Sequence, residues 1–166
     1  MCTLSILFAY KVGLFNIGAS GQYAVGAGLA LYLALAFQMP WYVCMIAAMI
    51  GGGILGGIAG ILKAYLNVNE VIAGIMLNWI SLYSVNMLLT NVKESSTTYT
   101  MALKTNAPGA LIPSLGLDGL FSNNRYVTIA IPLAVIIAIL VWFLMSKTKL
   151  GYDTKDPGLN KNAEKY

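Results

Sequence analysis

In the stretch GLFNIGASGQY, residues 13–23, three neutral polar side chains, Asn16, Ser20 and Gln22, fall within seven residues among three glycines. Apolar runs flank them: SILFAY before, interrupted only by Lys11, and AVGAGLALYLALAF after. A fourth such residue, Asn78, stands inside the later run NVNEVIAGIMLNWISLYSVN. Amides and hydroxyls donate and accept hydrogen bonds without carrying charge. They suit the holding of an uncharged polar partner, whether a neighbouring helix or a solute. Acid–base chemistry has no matching constellation. The chain contains no His, no paired carboxylates in an apolar run, and no nucleophile with a base beside it. Cys2 and Cys44 stand alone in apolar runs without CxxC or metal-ligand spacing, and read as buried thiols.

The elements that must position these residues follow from composition. Of 166 residues, 58% are hydrophobic and 10% charged, whereas a soluble domain carries about 25% charged residues. Polar surface is too scarce to cover a water-soluble globule. The expected fold is therefore all-α, a polytopic transmembrane helical bundle. Segments 20–38, 41–62, 71–91 and 127–146 each approach the ~20 apolar residues that a span requires. Residues 1–12 form a partial N-terminal span, so the bundle is expected to be incomplete: four full spans plus a part of another. The N-terminus lacks a basic region and a cleavage pattern, and does not read as a secretory signal. The net charge of +4 gathers at one end of the chain rather than along a basic face, so no nucleic acid is expected.

Basic residues set the expected orientation. Lys11, Lys63 and the five lysines of the tail fall on one side of alternating spans; Lys93, Lys104 and Arg125 fall on the other. This predicts a transmembrane domain over 1–146 with an extracytoplasmic loop at 92–126, and a cytoplasmic segment at 147–166.

Within the second predicted span, GGGILGGIAG places Gly52, Gly56 and Gly60 at every fourth position, which on a helix forms a flat row for close packing. A phosphate-binding loop is excluded, since no GxxxxGK[ST] follows. Ahead of the third predicted span, Asn67 with Glu70 three residues later reads as an N-cap with a reciprocal acidic partner. Glu70, Gly74, Asn78, Ser81 and Val85 share one helical face. Asn78 lies ~12 Å along that helix, so its amide either joins helices or walls a polar path. The loop 92–126 has an apolar portion, ALIPSLGLDGLF, suited to a membrane surface or a docking partner. The tail KTKLGYDTKDPGLNKNAEKY is either a solvated basic tail against lipid headgroups or a short helix capped by Asn160.

Three stretches, GLFNIGASGQYAVGA, VNEVIAGIMLNWI and KTKLGYDTKDPGLNKNAEKY, resemble the permease subunits of bacterial ATP-binding cassette (ABC) importers for simple sugars and nucleosides, a group related to the ribose and branched-chain amino acid permeases. The resemblance covers nearly the whole chain in the family's order. It implies a bacterial inner or cytoplasmic membrane protein working in pairs with a second permease subunit. It also implies a separate ABC ATPase subunit that carries the ATP and Mg, and an extracytoplasmic binding protein that delivers the solute. No cofactor and no enzymatic activity are implied for the chain itself. The family's coupling segment falls on Gly158, Asn160 and Ala163, with Tyr166 following. Its membrane-embedded break falls on Asn16, Ile17, Gly18, Gly21 and Gln22. A substrate pathway through Asn16, Gly18, Ser20, Gln22 and Asn78 would offer neutral hydrogen bonds to sugar hydroxyls or a nucleobase, with Phe15, Tyr23 and Trp79 able to stack on a base. Rival readings are a branched-chain amino acid permease and a non-transporting membrane scaffold whose glycine rows and amides only join helices.

Overall fold

The computed structural model describes residues 2–11, 15–92, 103–113 and 128–148. Every regular element among them is helical: α1 (Cys2–Lys11), α2 (Ala19–Phe37), α3 (Trp41–Leu66), α4 (Glu70–Leu89), the short α5 (Leu103–Asn106) and α6 (Ala130–Lys147), with single 3-10 turns at Thr90–Val92 and Pro108–Ala110. Among the described residues, four helices are long and apolar enough to cross a membrane. The protein is an all-α bundle of membrane-spanning helices. Helix is the outcome that lipid imposes, because it satisfies each backbone N–H and C=O within its own segment. The chain divides into two compact units, one of Met1–Asn16 with Ile112–Tyr166, the other of Ile17–Leu111.

In the second unit α2 packs against both α3 and α4. Short connections force the alternation: three residues, Gln38–Pro40, join α2 to α3, and three more, Asn67–Asn69, join α3 to α4. α2 therefore runs antiparallel to α3 and parallel to α4. Small residues set the approach. A Cβ on Gly26 would lie 2.8 Å from the Ala48 carbonyl oxygen of α3, and one on Gly28 would lie 2.5 Å from Val85 Cγ1 of α4. A Cβ on Gly51 would collide with Leu29 of α2. At the far end of α2, Ala34, Cys44 and Ala107 form a buried cluster, closed by Ala30, Leu33, Leu103 and Ala110. The Cys44 thiol donates to the Met39 carbonyl at 3.6 Å. Part of the predicted extracytoplasmic loop, α5 and the turn after it, thus folds onto α2 and α3.

Helix ends differ from the sequence reading most clearly around the α3–α4 turn. Asn67 is not the N-cap of α4. It is the C-cap of α3, in the left-handed region at φ 49° and ψ 30°, with its N–H returned to the Leu62 carbonyl. Asn69 is the N-cap of α4, and its side chain accepts from Val71 N–H at 2.9 Å. The NVN triplet offers two asparagines, and the αL turn after α3 takes the first because Asn tolerates positive φ. Glu70 instead pairs with Lys63 across the turn, Nζ to Oε2 2.6 Å. α3 runs to Leu66, four residues beyond the expected end at 62. At 1.5 Å per residue it is ~39 Å long, more than a ~30 Å hydrocarbon core, so its last turn carries Lys63 toward the polar boundary.

In the first unit, Pro132 sits in the first turn of α6, where its missing N–H breaks no helical bond. Ile129 N–H donates to the Pro113 carbonyl at 3.3 Å. Large apolar side chains such as Ile50, Ile54, Ile61, Ile136 and Ile139 are exposed along α3 and α6. Such faces suit lipid, which needs no polar cover.

Candidate functional site

The non-helical stretch that the structure describes is short, Phe15–Gly18, and α2 begins at Ala19. Ser20 and Gln22 therefore belong to the first turn of a helix rather than to an extended break. A helix start leaves N–H groups without intrahelical acceptors. The N-cap here is Gly18, at φ −70° and ψ 0°, and it brings no side chain to accept them.

The missing cap comes from another helix. Asn78, in the middle of α4, accepts from Gly21 N–H at 2.8 Å through Oδ1 and donates through Nδ2 to the Ile17 carbonyl at 3.1 Å. Gly21 is the third residue of α2, the position whose N–H an N-cap Ser or Asn ordinarily receives. Asn78 therefore caps α2 from outside and ties down the turn before it. An amide fits both halves of this role, accepting through one atom and donating through another. An ionised carboxylate accepts but does not donate, and it would bring a charge into the membrane.

Close contact makes the joint possible. A Cβ on Gly21 would lie 2.7 Å from Asn78 Oδ1 and 3.1 Å from Ser81 Oγ. A Cβ on Gly74 would lie 3.0 Å from Gly18 N and 3.3 Å from Ile17 Cβ. Ser81 is 1% exposed and donates to the Leu77 carbonyl of its own helix at 2.6 Å. Among the described residues no buried side-chain nitrogen or oxygen lacks a hydrogen bond.

On the other side of the α2 head lies α3. A Cβ on Gly52 would meet the Gln22 carbonyl oxygen at 3.2 Å, and one on Gly56 would meet Gln22 Nε2 at 3.3 Å. The row does not continue to Gly60, where a Cβ would meet nothing among the described residues within 4 Å; Gly53 and Gly57 are equally open to them.

The clustered polar residues are thus dealt in different directions. Asn16 belongs to the first unit, where Nδ2 donates to Ser5 Oγ at 2.9 Å. Gly18 is buried under Gly74, Ser20 is exposed, and Gln22 lies against α3. Of the expected pathway residues, the second unit brings together Gly18, Gln22 and Asn78 around one helix start. Gly158, Asn160, Ala163 and Tyr166 lie outside the described residues. Tyr83 was missed by the sequence reading: it stacks on Trp79, ring centroids 6.0 Å apart and planes at 24°. The i, i+4 spacing of the two rings was the available signal.

Among the described residues the head of α2 is held by packing and uncharged hydrogen bonds. Comparison with known proteins agrees in kind. The family described as branched-chain amino acid transport system, permease component, matches residues 1–166. The chain belongs to this permease family. The guanosine ABC transporter permease protein NupP of Bacillus subtilis is 34% identical over 98% of this chain and 47% of its own length. The nucleoside ABC transporter permease protein NupB of Lactococcus lactis is 33% identical over 100% of this chain and 48% of its own. A glucose ABC transporter permease of Haloferax volcanii is 29% identical over 96% and 44% respectively. The chain spans about half the length of the curated relatives it matches. No solved structure matches it. As a member of this permease family with four helices able to span, it is a multi-pass protein of the cell membrane.

Proposed function

We propose that the chain forms part of the membrane-spanning permease subunit of an ATP-driven importer that moves a nucleoside or a simple sugar. The observation that carries this reading is the similarity, over 98–100% of the chain, to permeases named for guanosine and nucleosides. In the proposed machine an extracytoplasmic binding protein delivers the solute. A second permease subunit completes the path, and a separate ABC ATPase subunit supplies ATP hydrolysis. The loop 92–126 faces the binding protein. The segment 147–166, through Gly158, Asn160, Ala163 and Tyr166, docks on the ATPase.

The role assigned to the α2 head is mechanical. Asn78 spends its acceptor on Gly21 and one donor on Ile17, so it fixes α2 to α4 and lets the two respond as one body to a push from the cytoplasmic side. Gln22 and Ser20, which flank Gly21 in the same helical turn, then stand at a constant distance from α4 while α3 slides on the smooth surface of Gly52 and Gly56. Neutral groups at this point favour an uncharged solute over an amino acid, whose carboxylate and ammonium would call for charged or dipolar partners.

Uptake of labelled guanosine, ribose and leucine by cells carrying the complete transporter tests the reading. Uptake of guanosine or ribose that disappears when the permease gene is deleted is expected. Uptake of leucine alone would assign the chain to amino acid import, and failure to recover any ATPase subunit with the tagged permease would refute the importer.

A further inference from the structure

α4 has a second patterned face. Trp79, Tyr83, Asn86 and Thr90 follow one another at spacings of four, three and four residues, so they form one stripe along the helix. The stripe is turned roughly 140° from the Gly74–Asn78–Ser81–Val85 face that packs on α2. Its side chains are exposed, Trp79 at 56% and Tyr83 at 67%. The two rings are stacked, centroids 6.0 Å apart and planes at 24°, so they hold each other in place and leave their outward faces open. Beyond them, Asn86 Nδ2 donates to the Leu82 carbonyl and Thr90 Oγ1 to the Asn86 carbonyl, each at 2.9 Å. An amide with one N–H so used retains a second N–H and its carbonyl, and a hydroxyl retains its lone pairs.

A lipid-facing role does not account for this stripe. Aromatic anchors belong at the membrane–water boundary, but Trp79 is nine residues from the start of α4, ~14 Å along it and close to the midpoint of a ~30 Å core.

We infer that the Trp79–Tyr83–Asn86–Thr90 stripe of α4 is a solute-facing wall on which the base of a nucleoside stacks, with Asn86 and Thr90 meeting the base edge or ribose hydroxyls. This rests on the nucleoside-import reading above. A π-face accepts any base, so the wall selects for nucleosides as a class, and purines, with the larger ring system, gain more than pyrimidines. It also divides the labour of α4: one face holds α2, the other holds cargo.

The test is uptake of labelled guanosine by cells carrying the complete transporter with Trp79→Leu and Tyr83→Leu. Maximal uptake should fall ~10-fold, in line with loss of base stacking, with the permease present at normal level in the membrane. The half-saturation concentration, governed by the delivering binding protein, should hold. Trp79→Phe with Tyr83→Phe should restore most of the rate. The chain has three tryptophans, so in purified permease carrying Trp41→Phe and Trp142→Phe the emission reports Trp79; guanosine should quench it and ribose should not. Unchanged guanosine uptake in the leucine variant overturns the stacking wall and leaves the importer standing. Absence of nucleoside uptake in the wild type overturns both. Should the leucine variant fail to reach the membrane, the fluorescence decides, and no quenching by guanosine overturns the wall.

Discussion

Substituting Asn78 by Leu keeps the volume and removes both polar contacts of the α2 head. Gly21 N–H loses its acceptor at 2.8 Å and the Ile17 carbonyl its donor at 3.1 Å. The first loss is that of an N-cap, about 0.5–2 kcal/mol. The second is an interhelical hydrogen bond in a membrane, on average about 0.6 kcal/mol. The sum is roughly 2 kcal/mol, or about 30-fold in the equilibrium between a closed and a frayed α2 start. Hydrogen exchange in detergent or bicelles reads this directly: amides 21–23 should lose protection ~30-fold, while those of residues 44–50 in α3 hold. Gly21→Ala attacks the same joint from the other side, since its Cβ would lie 2.7 Å from Asn78 Oδ1 and 3.1 Å from Asn78 Cα. Because each change breaks the joint once, the double variant should cost less than the two single costs added. Additivity within about 0.5 kcal/mol, as for independent sites, would refute the argument that Asn78 caps α2 through Gly21.

The glycines of α2 and α3 are expected to separate into two kinds. Gly26→Leu should destabilise the bundle by about 1–3 kcal/mol because the Ala48 carbonyl lies 2.8 Å from the added Cβ, whereas Gly60→Leu should change thermal stability in detergent little. At the α3–α4 turn, Asn69→Ala should cost about 1 kcal/mol as a lost cap. Asn67→Gly should be neutral or stabilising there and Asn67→Val destabilising, because the position has φ 49°; chemical denaturation of the three variants ranks them. The Lys63–Glu70 pair is about a third exposed on each side, so Lys63→Ala should cost at most about 1 kcal/mol, and the difference from wild type should shrink in 1 M salt.

Several features were legible from the chain alone because they are one-dimensional. Continuous apolar runs of span length gave the four long helices within a few residues, since lipid leaves the backbone no other choice. The face Glu70–Gly74–Asn78–Ser81–Val85 was visible as a 3.6-residue period; Ser81 and Val85 do meet α2, and Gly74 meets the turn just before it. The helix caps were less legible. NVN offers two asparagines, and which of them closes α3 and which opens α4 depends on where the chain must turn back. The row of Gly52, Gly56 and Gly60 looked uniform in sequence, yet it meets α2 only at its first two members, because Gln22 stands at the N-terminal end of α2 and no described residue reaches Gly60.

The sequence by itself determined that this chain is helical and belongs in a membrane: apolar length and scarce charge are properties of composition and order. It also showed that uncharged polar groups interrupt the apolar runs at residues 16–22 and at Asn78. What only the tertiary structure decided is what those groups face. Asn78 and Gly21 are 57 residues apart, and no periodicity links an amide in one helix with the third N–H of another. Their meeting depends on parallel packing of α2 on α4, which depends in turn on two tight turns and on glycines that let the backbones close. The same packing turns Trp79 and Tyr83 away from α2, and so separates the face of α4 that holds a helix from the face left to hold something else.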